Sequence, residues 1–313
     1  MRDIAIFSGS AHRELATEIC AHLGVPLRPV AVDRFSTDCL ELQLQANCRE
    51  CDVFLIQPLV PPVQEHLMEL LLMLDAARGA SAARRTAVIP HYAYGRSDKK
   101  DKPRISIGGR LVADLLVTAG ANRVLTVALH APQVHGFFSV PVDHLNALDV
   151  LARHFRGRAL RDTVVVSPDL GNAKAAAAFA RLLGLHVAAG VKRRLADDRV
   201  VIETVVGEVD GRDVIVLDDE IANAGTLVEV LQRLRERRVG QITVACTHGL
   251  FTGKAIERLR AQEDVVEIVT MNTVPIPPEK RLPHMTVLSI APLLAEAIRR
   301  INVGESVSAL FPV

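Results

Sequence analysis

The sequence predicts an α/β protein whose sheets are mainly parallel, and three observations predict it. Short apolar runs alternate with amphipathic helical periods along the chain. That rhythm breaks near residue 148 and starts again, which divides 313 residues into two halves of domain size. In the second half the apolar run Val214–Leu217 ends in two acids, then a short loop, then a helical period beginning at Leu227. A strand followed by a helix is the unit from which parallel sheets are built, because a parallel partner needs a long crossover.

The elements follow in order. Ile4–Phe7 is a predicted strand and Arg13–Leu23 a helix. Val53–Ile56 is a strand, and Gln64–Ala77 a long helix with Leu67, Leu70, Leu71 and Leu74 on one face. Thr86–Pro90 is a strand, Ile107–Ala119 a helix and Arg123–Val127 a strand. After the break, Thr163–Val166, Val187–Ala189, Val214–Leu217 and Gln241–Ala245 are strands between helices, and Pro292–Ile301 is a terminal helix. The expected domains are residues 1–148 and 149–291. Lys192 to Arg199 is expected as a polar loop after an apolar strand.

Composition excludes several classes. Apolar residues make up 49% and charged residues 23%, ordinary for a globular protein, and the net charge of +1 supplies no bulk field for nucleic acid or a membrane. No apolar run of membrane length and no leader-like start are visible, so cytoplasmic residence is expected. Tryptophan is absent and aromatics are 4%, which argues against base-stacking platforms. Cys48 and Cys51 have redox or zinc spacing, but no second pair accompanies them.

The segment Asp218-Asp219-Glu-Ile-Ala222-Asn223-Ala224-Gly225-Thr226 carries the clearest chemistry. A helix N-terminus presents unpaired N–H groups and a partial positive charge, so it attracts phosphate. Ala222, Ala224 and Gly225 let the backbone approach an anion closely. Asp218 and Asp219 at the strand end can accept hydrogen bonds from sugar hydroxyls. Strand, acids, loop and helix together fit ribose 5-phosphate. Asp169 ends Ser167-Pro168-Asp169 after another predicted strand, where a carboxylate suits Mg2+ or caps a helix. His130 follows the strand Arg123–Val127, at the sheet edge where α/β sites form.

The Asp218–Thr226 loop resembles the phosphoribosyl-pyrophosphate (PRPP) loop of phosphoribosyltransferases. The remaining motifs narrow this. Phe7 to Ala16, Arg34-Phe35-Ser36, Tyr94 to Asp98, Leu129-His130-Ala131, Gly136-Phe137-Phe138, Val166 to Asp169, Lys192-Arg193-Arg194 and Glu305 to Ser308 resemble the ribose-phosphate pyrophosphokinase (PRPP synthetase) family, collinearly and over essentially the whole chain. The resemblance implies two similar phosphoribosyltransferase-like domains, each a mainly parallel sheet flanked by helices. It also implies that the tail 292–313 packs back on the first domain.

The implied enzyme is a Mg2+-dependent ribose-phosphate diphosphokinase, a transferase of nucleotide biosynthesis. It moves pyrophosphate from ATP to the 1-hydroxyl of ribose 5-phosphate, giving PRPP and AMP. By the resemblance, Phe35, Arg96, Asp98, Lys99 and His130 bind ATP. His130 and Asp169 meet the metal, and Lys192 and Arg194 are catalytic cations on a mobile loop. Asp218, Asp219, Ala222, Asn223, Ala224, Gly225 and Thr226 hold ribose 5-phosphate. A homo-oligomer, dimer or hexamer, is implied with them. The chain also departs from the family pattern. Ala128 and Ala222 stand where the family has Asp, Asn223 where it has Thr, and Thr37 and Cys39 where it has acids. These departures mark a divergent member and leave a second reading, a non-catalytic regulatory subunit of the same family.

Overall fold

The computed structural model describes residues 2–196 and 199–310; for 193–196 and 199–201 it describes backbone alone. The chain divides into two compact units, residues 1–146 with 273–275 and 289–313, and residues 147–272 with 276–288.

The first unit runs β1 (Ile4–Ser8), α1 (Arg13–Leu23), β2 (Leu27–Arg28), β3 (Val30–Arg34), β4 (Leu40–Leu44), β5 (Asp52–Ile56), α2 (Val63–Gly79), β6 (Arg84–Ile89), α3 (Gly108–Ala119), β7 (Arg123–Val127) and β8 (Val142–Leu145). Among the described residues, six strands form one sheet in the order β2-β1-β5-β6-β7-β8. Every pairing in it is parallel. Strands covered on both faces are mostly apolar, and β5 is buried along its whole length, its Asp52 included. β3 and β4 leave the sheet as a separate antiparallel hairpin. The alternation Val30-Ala-Val32 and Leu40-Glu-Leu42-Gln-Leu44 is the period-two pattern of a half-buried ribbon.

The second unit runs α4 (Leu148–Phe155), β9 (Thr163–Ser167), α5 (Ala173–Leu183), β10 (His186–Ala196), β11 (Arg199–Val206), β12 (Asp213–Ile221), α6 (Gly225–Glu236), β13 (Ile242–Gly249), α7 (Ala255–Arg260), β14 (Val265–Met271) and β15 (Met285–Leu288). Its sheet has the order β11-β10-β9-β12-β13-β14-β15. Among the described residues, only the β10–β11 pair of this sheet is antiparallel. One core packs Val214, Val216, Val244 and Ile268 against Val230, Leu231 and Leu234 of α6. No described helix is long and apolar enough to cross a membrane.

Two expectations change. The loop expected over Lys192–Arg199 is largely strand, because the valine-rich stretch Val200–Val206 offers β10 a partner and the chain folds back as a hairpin. β12 does not stop at Leu217. It continues through both acids to Ile221, pairing Asp218 with Cys246 and Glu220 with His248.

The chain re-enters the first unit with α8 (Ala291–Val303), which packs on α1. There Asn302 Nδ2 donates to the Asp52 carboxylate at 3.0 Å and to the Arg2 carbonyl at 3.1 Å. Arg84 pairs with the same fully buried Asp52 and donates to the Asn302 carbonyl at 3.2 Å. A buried carboxylate is stable only with such partners.

Candidate active site

The segment Asp218–Thr226 sits at the carboxyl edge of the second sheet. Asp218 is half-buried, and its Oδ1 accepts the Asp219 backbone N–H at 3.0 Å. Burial raises the Asp218 carboxyl well above the usual carboxylate range, and the charges of Asp219 and then Asp169 push it the same way. Across the ladder the buried Cys246 thiol is pushed up to about 12 by desolvation, so it is an inert, neutral wall. β12 ends, and Ala224 takes a left-handed φ of 59° immediately before α6. That conformation, uncommon for a residue with a Cβ, aims the chain into the helix start.

The loop is tied down from three sides. Asn223 Oδ1 accepts the Gly225 N–H at 2.9 Å. Thr252 N–H donates to the Ala222 carbonyl at 2.8 Å. Arg258 of α7, which sequence reasoning did not single out, donates from Nη1 to the Asn223 carbonyl at 2.8 Å. Thr226 lies in the first turn of α6. The structure therefore gathers Asp218, Asp219, Ala222, Asn223, Ala224, Gly225 and Thr226 around one helix N-terminus.

Asp169 follows β9, next to β12 in the sheet. Its Oδ1 accepts the Asn172 N–H at 3.0 Å, and the Asn172 amide donates to the Leu217 carbonyl at 2.9 Å. Its Oδ2 pairs with the Lys192 ammonium from β10. Burial works against the Asp169 carboxylate, but Lys192 and the Asn172 and Gly171 N–H groups outweigh it, and the carboxyl lies below its usual range. Lys192 is thus engaged with an acid at this sheet edge. The Arg194 side chain lies outside the described residues.

In the first unit, His130 follows β7 and is exposed. Ala128 has a φ of 43°, and the Leu129 N–H beyond it donates to Nε2 of His144 on β8 at 2.8 Å. An accepting Nε2 places the proton on Nδ1. Burial, then the nearby His135, depresses the His144 ring to about 4, so it stays neutral and keeps that bond. The turn Ala93–Arg96 rests on His130: a Cβ added to Gly95 would lie 3.8 Å from the His130 backbone. Asp98 accepts from Gln133 at 2.6 Å, and Lys99 is exposed. Arg96, Asp98, Lys99 and His130 therefore share two adjoining loops. Phe35 stands at the tip of the β3–β4 hairpin, 51% exposed. Among the described residues no hydrogen bond or ring contact joins it to those loops. Its neighbour Arg34 pairs with Glu65 and Asp38, both at 2.6 Å.

Among the described residues no group of three His, Cys, Asp or Glu side chains forms a ready metal cage. A cavity of about 550 Å³ opens at the amino edge of the second sheet, bordered by Phe155, Arg158, Thr243, Glu267 and His284. Its Glu267 already accepts from Arg158, His154 and Thr286.

With this geometry in hand, the chain's relatives decide the family. A pattern describing the N-terminal domain of ribose phosphate pyrophosphokinase matches residues 4–120. A phosphoribosyl synthetase-associated domain matches residues 198–312. The chain is 49% identical over 314 residues to the ribose-phosphate pyrophosphokinase of Deinococcus radiodurans, covering 98% of each. The chain belongs to the ribose-phosphate pyrophosphokinase family. A Streptomyces coelicolor protein is 68% identical over 311 residues, covering 99% of this chain and 98% of that one. The crystal structure of phosphoribosylpyrophosphate synthetase from Mycobacterium smegmatis superposes with a TM-score of 0.91 at 39% identity, over 97% of this chain and all of that one. Identities of this size over nearly the whole length do not set the chain apart as a divergent ribose-phosphate pyrophosphokinase.

Proposed function

We propose that this chain transfers the pyrophosphoryl group of ATP to the 1-hydroxyl of ribose 5-phosphate, giving PRPP and AMP for nucleotide biosynthesis. The observation that carries the site assignment is the β12–α6 segment. Two adjacent acids, a loop of small residues and a helix N-terminus stand together there, on a chain similar over its full length to ribose-phosphate pyrophosphokinases. Nothing in the site or among the relatives favours the regulatory-subunit reading.

In the proposed reaction the ribose 1-hydroxyl oxygen bonds to the β-phosphorus of ATP and loses its proton to solvent, the bond from that phosphorus to the α–β bridging oxygen breaks, and AMP leaves with the bridging oxygen. The protein contributes positioning and charge rather than a nucleophile. Asp218 and Asp219 hold the sugar hydroxyls while Asn223 to Thr226 hold the 5-phosphate. Phe35, Arg96, Asp98, Lys99 and His130 of the first unit are assigned to ATP. Lys192 and Arg194 stabilise charge that develops on the transferred group. Lys192 must leave Asp169 to do so, and substrate phosphate is the competing anion.

The donor set fits Mg2+. Burial, then Asp219 and Asp169, raises the Asp218 carboxyl, and a divalent cation nearby would favour its charged form. Mg2+ commonly takes one or two carboxylates and completes its shell with water and substrate phosphate, so no three-acid cage is required. Asp169 is the carboxylate we assign to it, with His130 a nitrogen donor that suits Mg2+ less well. Bound there, Mg2+ would neutralise phosphate charge. On family similarity we also infer a cytoplasmic homo-oligomer, dimer or hexamer, with residues 1–148 and the tail forming the first phosphoribosyltransferase-like domain and 149–291 the second.

The test is AMP and PRPP formation from ATP, ribose 5-phosphate and Mg2+ by the purified chain. Equal amounts of the two products are expected. Binding of both substrates with no AMP formed would restore the regulatory reading.

A further inference from the structure

A sugar phosphate brings about two negative charges to a loop that has no cation of its own: Ala222 to Thr226 contains neither Lys nor Arg. The same edge already carries Asp218, Asp219 and Asp169, and the Lys192 ammonium there is paired with Asp169. The α6 N-terminus supplies only about half a positive charge. Phosphate therefore calls for a side-chain cation from another element.

Arg258 answers that need. It projects from α7, and its Nη1 donates to the Asn223 carbonyl at 2.8 Å. The same nitrogen lies 3.5 Å from where a Cβ on Gly225 would stand, so the guanidinium lies over the first residue of α6. Its charge is unspent, unlike that of the arginines at the far end of α6. Arg233 pairs with Glu236 at 2.8 Å, Arg235 with Asp264 at 2.5 Å, and Arg237 with Asp210. Among the described residues Arg258 has no carboxylate partner. A guanidinium carries five N–H donors in a planar fork, and the Asn223 carbonyl occupies one of its nitrogens. The fork matches phosphate oxygens two at a time.

We propose that Arg258 binds the 5-phosphate of ribose 5-phosphate directly, as the side-chain counter-charge of the loop. The inference rests on the reading of Asn223 to Thr226 as the sugar-phosphate site. Holding the Asn223 carbonyl is the lesser part of the role. A glutamine at 258 can still donate to that carbonyl, but it brings no charge.

The experiment is calorimetric titration of ribose 5-phosphate into the full chain, wild type against Arg258→Gln and Arg258→Lys, across pH 5 to 8. A phosphate monoester gains its second charge near pH 6. Wild-type affinity should therefore rise through that pH. Arg258→Gln should bind about 10- to 100-fold more weakly at pH 8, as for a lost charge-assisted contact, with a flattened rise and unchanged ATP affinity. Arg258→Lys should keep the rise and lose only several-fold. Glutamine binding within threefold of wild type with the rise intact would overturn the proposal. If the glutamine variant does not fold, a lysine variant that has lost the rise overturns it instead. A wild type that binds ATP but no ribose 5-phosphate removes the loop assignment itself, whatever position 258 does.

Discussion

At the carboxyl edge of the second sheet, Asp218 and Asp219 stand side by side with Asp169 close enough to disturb them, and burial holds Asp218 toward its neutral form. At the amino edge of the same sheet, Glu267 is equally enclosed but fully partnered. It accepts Arg158 at 2.6 Å, Thr286 at 2.8 Å and His154 at 2.9 Å. Burial opposes its charge, yet those three partners prevail and hold its carboxyl down to about 2. One sheet thus treats its acids in two ways. The acid with partners serves the fold. Asp218, raised by burial and by the acids beside it, has the kind of perturbed carboxyl that marks a candidate site.

The two edges should separate by measurement. The largest effect is expected from Lys192→Ala, at the ligand edge. A single charge stabiliser of a transferred group is worth two to three orders of magnitude in kcat, so kcat should fall about a hundredfold or more while the melting temperature barely changes. Turnover within tenfold of wild type would return Lys192 to an ordinary surface ion pair with Asp169.

Next comes Glu267→Gln, the converse case. Its folded pKa lies below the ordinary glutamate value of 4.5, at about 2. The stability it contributes is therefore present above the unfolded pKa and lost as pH falls through the folded one. The full shift corresponds to about 3 kcal/mol. Urea unfolding at pH 7 should show a loss of about 2–3 kcal/mol with kcat unchanged. The wild type's loss of stability between pH 4.5 and 2 should flatten in the variant. A variant as stable as wild type would show that these contacts add nothing net.

The smallest effect is expected from Asp219→Ala. Ribose 5-phosphate should bind about tenfold more weakly, the scale of one charge-assisted hydrogen bond. Stability should hold or rise slightly, because Asp218 loses a like-charged neighbour. The pH sign is opposite to that of Glu267. A raised Asp218 adds stability below the usual carboxylate pKa and loses it as pH rises through the folded value. Removing Asp219 should move the Asp218 titration, followed by NMR, back toward the ordinary range. An unmoved titration would place the cause in burial alone.

Much of this contrast was legible in the sequence, and the part that was not has a physical reason. The helix Arg13–Leu23 and the strand Arg123–Val127 match their expected bounds, because both rest on local periodicity. The pair Asp218–Asp219 and the loop after it are contiguous, so they too were visible. The β3–β4 hairpin was missed although its period-two alternation is present. Lys192 to Arg199 read as loop because charge at an edge strand looks like solvated loop until its partner is known. Arg258 carried no signal at all: its contact with Asn223 spans 35 positions. Glu267 is as silent, since Arg158 lies 109 residues away. Sequence shows which acids exist; only the fold shows which are neutralised.

Asn302 has a consequence for the order in which the chain is made. Residues 1–146 of the first unit are made before any residue of the second, but its last pieces are residues 289–313. Until they emerge, Asp52 lacks Asn302, and α1 lacks α8. The second unit, encoded later, has its last piece by residue 288. Synthesis therefore delivers the second unit complete while the first still awaits its closing helix. A message cut short after residue 288 yields a complete β12–α6 loop attached to an N-terminal sheet that lacks α8.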